Sequence, residues 1–242
     1  MSDQVKKLAE YIRSARSAVF FGGAGVSTES GIPDFRSVDG LYKQQWRYPP
    51  ETILSHSFWE RRPEEFYRFY RQKMLYPDAR PNAAHIALAR LEQNGMMDAV
   101  ITQNIDGLHQ AAGSRNVIEL HGTVLKNRCV RCGKESGPEA ILACEGVPLC
   151  PCGGVIKPMV VLYEESLPGE ALERAAAAVR KADLMIVAGT SLSVWPAAGF
   201  VQSFRGTLVI INRSPTPQDA RADLVIQDSV GVVLGAAADL LL

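Results

Sequence analysis

The sequence carries no net charge, no long apolar run and no internal repeat. Lys and Arg together number 26, and Asp and Glu together also number 26, so the chain lacks the basic excess of a typical nucleic-acid-binding domain. No apolar run approaches the roughly 18 residues that span a bilayer. The opening stretch MSDQVKKLAEYIRSARS is charged throughout and lacks the apolar core of a signal peptide. These absences favour a cytoplasmic protein that binds neither membranes nor nucleic acid directly.

Cysteine is missing from most of the chain and is confined to one short segment. CVRC contains Cys129 and Cys132, and CPC contains Cys150 and Cys152. Two such pairs separated by roughly 15–20 residues are typical of a zinc ribbon, in which four thiolates form a closed structural site. The second pair is one residue shorter than the usual spacing, and Cys144 is left over and could replace Cys150. We expect a zinc ion that holds structure and takes no part in chemistry.

The chain does contain a regular alternation of strand-like and helix-like segments. Short runs rich in Val and Ile are predicted to form buried strands at 17–22, 98–104, 117–120, 183–190, 207–212 and 222–227. Helices are predicted at 3–16, 63–76, 82–94, 169–181, 195–204 and 230–242. This alternation predicts an α/β fold, with a Rossmann-like, mostly parallel sheet and helices on both faces. In such sheets ligands bind beyond the carboxyl ends of the strands.

Two stretches interrupt the alternation. Residues 37–80 are rich in aromatics, Arg and Pro, and residues 123–158 hold the cysteines. We interpret both as insertions that together form a smaller helical and zinc-ribbon domain. The Rossmann-like domain would then consist of residues 1–36, 81–122 and 159–242.

A glycine cluster follows the first predicted strand, in GGAGVSTESGIPDFRS. Gly23, Ala24 and Gly25 permit a tight turn and a close backbone approach to a pyrophosphate. The match to the dinucleotide-binding fingerprint is incomplete, because Thr28 occupies the third glycine position and no acidic residue ends a second strand. An ordinary turn between a strand and a helix therefore remains open on this motif alone.

Polar residues also follow the later strands. GTS places Gly189, Thr190 and Ser191 at one strand end, and Asn212 ends another strand. Each of these residues alone suits an ordinary turn. Together with the glycine cluster at one sheet edge, they favour a nucleotide-binding crevice, with Asn212 as a partner for ribose hydroxyls.

The segments TQNIDGLHQ and ELHGT supply residue types suited to catalysis. Gln103, Asn104 and Asp106 follow a predicted strand, and an Asx-turn readily explains only one of them. His121 lies at a strand end and is followed by a glycine. A given histidine is usually structural, but a base that titrates near neutrality suits this position.

Taken together and in this order, these motifs resemble those of the sirtuins, the NAD-dependent protein-lysine deacylases. The resemblance extends over roughly residues 17–230 and rests on GAGVSTESGIPDFRS, TQNIDGLH, ELHG, CVRC with CPC, VVLYEESLP, GTSLSVWPAA and IN. It implies a bacterial NAD-dependent protein-lysine deacetylase, with NAD and zinc as cofactors and an acetylated protein or peptide as substrate. VVLYEE is similar to the family's strand that pairs with an extended substrate peptide.

The resemblance also implies residue roles. The acetyl carbonyl oxygen attacks the anomeric carbon of the nicotinamide ribose, nicotinamide leaves, and water then completes the release of free lysine and acetyl-ADP-ribose. His121 matches the general base, and Asn104 matches a residue that orients ribose and water. Asp106 and Ile105 match the nicotinamide pocket, where Asp106 supplies negative charge, and Phe35 matches the ring that shields the reactive ribose. The other positions that match cofactor contacts are Gly23, Ala24, Gly25, Thr28, Arg36, Gln103, Gly189, Thr190, Ser191, Asn212 and, more loosely, Val230.

The sequence departs from the family pattern in two places. Glu164-Glu165-Ser166 stands where the family usually has Gly-Glu before Leu-Pro. Desuccinylating members carry a Tyr and an Arg three positions apart; here Tyr67 matches the Tyr, but Tyr70 stands in place of the Arg, and Arg71 follows it. We therefore expect no fixed carboxylate clamp and a preference for short neutral acyl groups.

Three alternatives stay open at this point. The protein could remove succinyl groups if Arg71 reaches the acyl pocket, or it could transfer single ADP-ribosyl units from the same NAD site. A non-catalytic NAD- or nucleic-acid-binding module is the third. The neutral net charge and the presence of His121 and Asn104 argue against that last reading.

Overall fold

The computed structural model of the chain describes residues 2–34, 40, 46–192, 195 and 197–242. Phe35 and Arg36, both predicted to contact a cofactor, lie outside the described residues. Among the helices within these ranges, none is both long enough and apolar enough to cross a membrane.

Strands and helices alternate along most of this chain. The strands are β1 (Ala18–Gly22), β2 (Ala99–Thr102), β3 (Val117–Glu119), β4 (Gly122–Cys129), β5 (Glu135–Ser136), β6 (Ile156–Val160), β7 (Leu184–Ala188), β8 (Thr207–Ile211) and β9 (Leu224–Ile226). The α-helices are α1 (Asp3–Ser14), α2 (Pro50–Ile53), α3 (His56–Arg61), α4 (Pro63–Lys73), α5 (Ala83–Gln93), α6 (Leu108–Ala111), α7 (Glu139–Leu142), α8 (Gly169–Lys181), α9 (Ala197–Ser203) and α10 (Val230–Asp239). Short 3-10 turns lie at Ala24–Val26, Thr28–Ser30 and Asp219–Arg221.

The larger sheet has the strand order β3-β2-β1-β7-β8-β9, and its neighbouring strands are parallel. It contains all six strands that the sequence predicts, so the predicted α/β class is confirmed. The strand order reverses between β1 and β7. Because the connections leave these two strands toward opposite sides, a crevice opens between their carboxyl ends.

Helices cover both faces of this sheet, since successive residues of a strand point to opposite sides. In β1, Phe20 belongs to the core beneath α1, α5 and α10. Its neighbours Val19 and Phe21 belong to the core beneath α8 and α9. A strand buried on both faces must be apolar throughout, which explains why β1 and β7 read as continuous apolar runs.

The start of α5 is fixed to the turn that follows β1. Asn82 caps the helix, because its Oδ1 accepts a hydrogen bond from the Ala84 N–H at 2.9 Å. Its Nδ2 donates to the Val26 carbonyl at 2.8 Å. One side chain therefore both begins a helix and holds the glycine turn in place.

The two predicted insertions share one core. The smaller sheet is antiparallel, with β4 between β5 and β6. Phe66 and Tyr70 of α4 pack with Val124 of β4, Ile141 of α7 and Val160 of β6. These segments are far apart in sequence, but their shared apolar core joins α2–α4 to the cysteine-bearing segment. Each Å² of apolar surface that this core buries stabilises the contact by roughly 25 cal/mol.

Candidate functional site

Glycines let the ends of β1 and β7 approach each other at the crevice. The Gly25 N–H donates to the Gly189 carbonyl at 2.8 Å, and the Gly23 N–H donates to the Ala188 carbonyl at 3.1 Å. A Cβ added at Gly25 would lie 2.7 Å from the Gly189 Cα, and one at Gly23 would lie 2.7 Å from the Thr190 Cβ. Gly189 has a φ of 61°, which favours glycine. The crevice edge is therefore built largely of backbone.

Hydroxyl and amide side chains line the same edge. Gln103, which follows β2, donates from Nε2 to the Thr190 Oγ1 at 3.1 Å, across the end of β1. The Thr28 Oγ1 donates to the Gly25 carbonyl at 3.0 Å, and Ser191 is exposed beside Thr190. These groups are suited to phosphate and ribose oxygens, which need donors and acceptors at close range.

A short polar network crosses the mouth of the crevice. The buried Ser27 hydroxyl donates to Asp106 Oδ2 at 2.7 Å and accepts from Asn104 Nδ2 at 3.0 Å. The other oxygen, Asp106 Oδ1, accepts from the Leu108 N–H at 2.9 Å. Both the amide and the carboxylate are thus held in fixed orientations by hydrogen bonds within the protein.

His121 lies two residues after β3 and contacts Gln103, the residue that precedes Asn104 of this network. Its Nδ1 lies 3.0 Å from the Gln103 carbonyl oxygen. A carbonyl only accepts, so Nδ1 carries the proton and Nε2 keeps its lone pair in the neutral ring. Burial lowers the pKa of His121, and the hydrogen bond to Gln103 partly opposes this effect. The ring is therefore a neutral base at physiological pH.

The backbone on either side of His121 is joined to the smaller sheet. The Val161 N–H donates to the His121 carbonyl at 2.9 Å. Gly122 has a φ of 73°, and a Cβ there would overlap the carbonyl oxygen of Met159. Glycine is required at this position, because β4 begins against the end of β6.

Asn212 and Val230 lie farther along the same sheet edge. Asn212 follows β8, and its Nδ2 donates to the Ser214 carbonyl at 2.7 Å. Val230 is buried at the start of α10, and the next residue, Gly231, donates its N–H to Glu29 Oε2 at 2.8 Å. On the opposite side, Ile105 packs against the core of the smaller unit.

Four cysteine thiols form a compact cluster in the smaller unit. The sulfurs of Cys129, Cys132, Cys150 and Cys152 all lie within 4.8 Å of one another. The Cys129–Cys152 and Cys132–Cys150 sulfur pairs are 3.5 and 3.7 Å apart. A tetrahedron with zinc–sulfur bonds of about 2.3 Å has edges of about 3.8 Å, so the thiols are positioned to bind a metal ion of this kind. Hydrogen bonding from the Cys132 backbone N–H lowers the pKa of the Cys129 thiol, which favours the thiolate ligand.

The fifth cysteine is not part of this cluster. The Cys144 sulfur accepts a hydrogen bond from Arg71 at 3.0 Å. The structure therefore brings Cys150, and not Cys144, together with the other three thiols.

Comparisons with known proteins identify the family. The Sir2 family model matches residues 23–196, which is most of the chain. The chain is 55% identical to an NAD-dependent protein deacetylase of Clostridium perfringens (strain 13 / Type A) over 244 residues, covering 99% of this chain and 100% of the relative. The chain belongs to the Sir2 family. It is also 55% identical to an NAD-dependent protein deacetylase of Cutibacterium acnes (strain DSM 16379 / KPA171202), with 96% of each chain covered.

Solved structures of Sir2 proteins have the same fold. A Sir2 complex with a p53 peptide and NAD+ has a TM-score of 0.86 and 41% identity, and the match covers 99% of this chain and 98% of that chain. A Sir2 variant with a deacetylated p53 peptide and 3'-O-acetyl ADP-ribose has a TM-score of 0.90 and 42% identity, with 98% of each chain covered. The family resemblance seen in the sequence is thereby confirmed.

In this Sir2 chain, Ser27 is a site residue that sequence reasoning missed. It is buried and links Asn104 to Asp106. The only feature of the sequence that could have indicated this role is the position of Ser27 in GAGVSTES, two residues after Gly25 and three residues before Ser30. A small hydroxyl residue there reads as an ordinary turn residue, because its partners come from a distant segment.

The side chains at the predicted clamp positions of α4 are bonded or packed within the protein. The Tyr67 hydroxyl donates to the Ile156 carbonyl at 2.7 Å and accepts from Trp59 Nε1 at 2.9 Å. Tyr70 is fully buried. The Arg71 guanidinium is bonded within the smaller unit, to the carbonyls of Ile141, Glu145 and Gly146 and to the Cys144 sulfur.

Two further histidines lie behind the polar network. His85 of α5 and His109 of α6 are buried and meet with ring centroids 4.6 Å apart. Burial lowers the pKa of His109 to about 3 and also lowers that of His85, while the charge of Asp106 opposes the effect on His85. Both rings are therefore neutral and belong to the support of the site.

Proposed function

We propose that the protein is an NAD-dependent protein-lysine deacetylase, which transfers the acetyl group of acetyl-lysine to ADP-ribose and releases nicotinamide. The observation that carries this proposal is the neutral His121, whose Nε2 is left as a base beside the Asn104–Ser27–Asp106 network. Membership of the Sir2 family and high identity to bacterial deacetylases over nearly the whole chain support it.

The residues at the crevice fit NAD in their chemistry. Backbone N–H groups, hydroxyls and amides gather at the point where the strand order reverses, which is where dinucleotides bind in this class of sheet. NAD, when bound, supplies an ADP-ribosyl group that accepts the acetyl oxygen as nicotinamide leaves. The residues that would hold it are Gly23, Ala24, Gly25, Thr28, Gln103, Asn104, Ile105, Asp106, His121, Gly189, Thr190, Ser191, Asn212 and Val230. Phe35 and Arg36 remain sequence predictions for the same role.

His121 would act as the general base. Its Nδ1–H is held by the Gln103 carbonyl, so Nε2 would be the atom that takes a proton from a hydroxyl during acetyl transfer. A base with a pKa below that of free histidine is unprotonated at neutral pH and is ready for this step.

Asn104 and Asp106 would orient and stabilise the reacting groups. Ser27 fixes both side chains, so neither has to reorganise during the reaction. A fixed carboxylate stabilises positive charge that develops close by, and such pre-organised charge is most effective where water is excluded.

The segment VVLYEE, which begins at the end of β6, would take the acetylated peptide. β6 is an edge strand of the smaller sheet, and Val161 directly after it is bonded to His121. A groove of about 380 Å³ runs along this region and includes Gly122, Lys157, Val160 and Val161 in its walls. An extended peptide paired with this segment would bring its acetyl-lysine to His121 through main-chain hydrogen bonds.

The four-cysteine site would hold zinc for structure alone. Four thiolates complete a tetrahedral shell and leave no position for water or substrate. Binding then contributes to folding of the smaller unit, on the order of 10 kcal/mol.

We also propose the domain division and the location that the sequence suggests. The shared core of α2–α4 with β4 and β6 supports a smaller domain built from 37–80 and 123–158, inserted in a larger one. Five free cysteines, four of them in a metal-binding arrangement, support a cytoplasmic location, where thiols are kept reduced.

The experiment measures nicotinamide release from NAD with and without an acetylated peptide. Deacetylation predicts release only with the peptide, in equal amounts with free lysine and acetyl-ADP-ribose. Release together with ADP-ribose attached to protein would instead show ADP-ribosyl transfer. Release that needs no acyl peptide would contradict the proposed function.

A further inference from the structure

Glu164 adopts a backbone conformation that normally belongs to glycine. Its φ is 75°, and Leu192 is the other non-glycine residue with a positive φ in the described ranges. The left-handed region crowds the Cβ of an ordinary residue, so such a conformation persists only where the surroundings hold it. Glu164 lies four residues after the end of β6, in the segment that adjoins His121.

The carboxylate of Glu164 supplies such a restraint. Oε2 accepts a hydrogen bond from the Ser57 backbone N–H at 2.9 Å, and Oε1 accepts from the Ser57 hydroxyl at 3.0 Å. The backbone hydrogen bond is the largest cause of the lowered pKa of Glu164. One side chain is thus bonded through both oxygens to the first turn of α3.

The rest of this segment is joined to the same place. The Tyr163 N–H donates to the Leu54 carbonyl, and the His56 N–H donates to the Tyr163 carbonyl, each at 3.0 Å. At the other end, the Val161 N–H donates to the His121 carbonyl at 2.9 Å. Residues 161–165 therefore form a bridge from the general base to α3, and Glu164 fastens the α3 end.

The neighbouring Glu165 cannot replace Glu164 in this contact. Glu165 Oε1 lies 2.7 Å from His56 Nδ1 and 3.0 Å from Lys157 Nζ, and Oε2 accepts from the Leu162 N–H at 2.9 Å. Both oxygens of Glu165 are thus already bonded, one of them to His56 in the same turn of α3, so the two glutamates have separate partners.

We propose that Glu164 is a positioning residue for substrate: its two hydrogen bonds to Ser57 hold residues 161–165 in the shape that pairs with an acylated peptide. The proposal rests on the proposed function, because the segment positions substrate only if peptides bind beside His121. Losing the two hydrogen bonds would free the segment to leave its left-handed turn. The segment would then have to be ordered during peptide binding, which weakens binding without altering the reacting groups.

The first test is steady-state kinetics with an acetylated peptide on Glu164→Ala, Glu164→Gly, Glu164→Gln and Ser57→Ala. We expect Glu164→Ala to raise the peptide KM about tenfold, with kcat and the KM for NAD within about twofold of the parent. Glu164→Gly should also have a raised peptide KM, because glycine permits the turn but does not hold it. Glu164→Gln keeps an acceptor for the Ser57 N–H and should restore most of the binding. Glu173→Ala, which removes an exposed glutamate from α8, is the matched control.

The second test is hydrogen exchange, which needs no activity. The Tyr163 amide should exchange about tenfold faster in Glu164→Ala and Glu164→Gly than in the parent or in Glu164→Gln. Unchanged exchange would overturn the proposal, and so would faster exchange with an unchanged peptide KM. If no variant and no parent protein turned over acetylated peptide, the proposed function would fail, and the proposal about substrate would fail with it. A raised KM with kcat retained, together with faster exchange, supports it.

Discussion

The Nδ1 atom of His121 lies 3.0 Å from the carbonyl oxygen of Gln103. Gln103 also donates from its side chain to Thr190 at 3.1 Å, so one residue orients the histidine and spans two strand ends. The position of the base is therefore set by the backbone of the β2 turn. Such a position is more rigid than one set by another long side chain.

Replacing His121 by Ala should lower deacetylation at least about 100-fold, the usual contribution of a general base. NAD binding should stay within about threefold, because the other residues that would hold NAD, including Gln103, Asn104 and the glycine turn, are untouched. The measurements are kcat/KM with an acetylated peptide and NAD binding by calorimetry, with thermal unfolding to check the fold. Near-normal turnover in a folded His121→Ala protein would remove His121 from the mechanism.

The pH dependence of kcat/KM should have an acid limb with its midpoint below 6.5, the ordinary pKa of histidine. Burial lowers the pKa of His121, so the base stays unprotonated until the pH falls below that value. His56→Gln is the control, since the hydrogen bond to Glu165 raises the pKa of His56 above its ordinary value, which is the opposite direction from His121. A midpoint above 6.5, or one that moves in His56→Gln, would contradict the assignment.

The zinc content of cysteine variants should distinguish the four clustered cysteines from Cys144. Cys132→Ser removes a sulfur that lies within 4.8 Å of the other three, so the metal should be lost and the smaller unit should loosen. Cys144→Ser is the matched control, because the Cys144 sulfur contacts Arg71 and is not in the cluster. Metal analysis and hydrogen exchange in β4–β6 are the measurements. Equal zinc loss in both variants would show that Cys144 is a ligand.

Much of the fold could be predicted from sequence, because the apolar runs of buried strands are visible in short stretches of the chain. Strands such as Leu184–Ala188 are buried on both faces, so burial forces a continuous apolar run that is visible in the sequence. The metal-binding cysteines were predictable for a similar reason, since CVRC and CPC place the thiols in pairs. The small antiparallel sheet was not predicted. β4 alternates irregularly between buried and exposed residues, and its partner β6 contains a proline.

Contacts between distant segments could not be predicted from the sequence. Ser27 bonds to Asn104 and Asp106, which lie in another part of the chain. Arg71 reaches the loop after α7, and no periodicity in α4 shows this. Both interactions depend on how β1, α4 and the smaller sheet are brought together. That arrangement is a property of the tertiary fold.

Acetyl-lysine should be preferred over succinyl-lysine in peptides of the same sequence. The Arg71 guanidinium is occupied by three carbonyls and the Cys144 sulfur, and the Tyr67 hydroxyl is bonded to Trp59 and Ile156. A succinyl carboxylate would then be buried without these partners, which costs several kcal/mol. Paired kcat/KM measurements should give at least about a 100-fold preference for acetyl.

Arg71→Ala tests the reason for this preference. The ratio of the two kcat/KM values should stay within about threefold of the parent ratio, although stability will fall. A Tyr70→Arg exchange is not a useful gain-of-function test, because Tyr70 is fully buried and stacks on Phe66. Comparable rates on both peptides in the parent, or a ratio that rises sharply in Arg71→Ala, would show that Arg71 reaches the acyl group.

The buried pair of His85 and His109 should make the protein sensitive to mild acid. The pKa of His109 is about 3 in the folded protein, against 6.5 when unperturbed, so the unfolded chain binds more protons below pH 6.5 and unfolding is favoured there. His109 alone should lower the free energy of unfolding by about 1 kcal/mol between pH 7.5 and 5.5.

His109→Phe should remove this loss of stability, because phenylalanine does not titrate and leaves no unpaired ring nitrogens. His56→Gln should not reduce the loss, since the raised pKa of His56 stabilises the fold at low pH and its contribution disappears as the pH rises. Urea unfolding at the two pH values measures all three proteins, and an equal acid loss in His109→Phe and the parent would show that His109 is not the source.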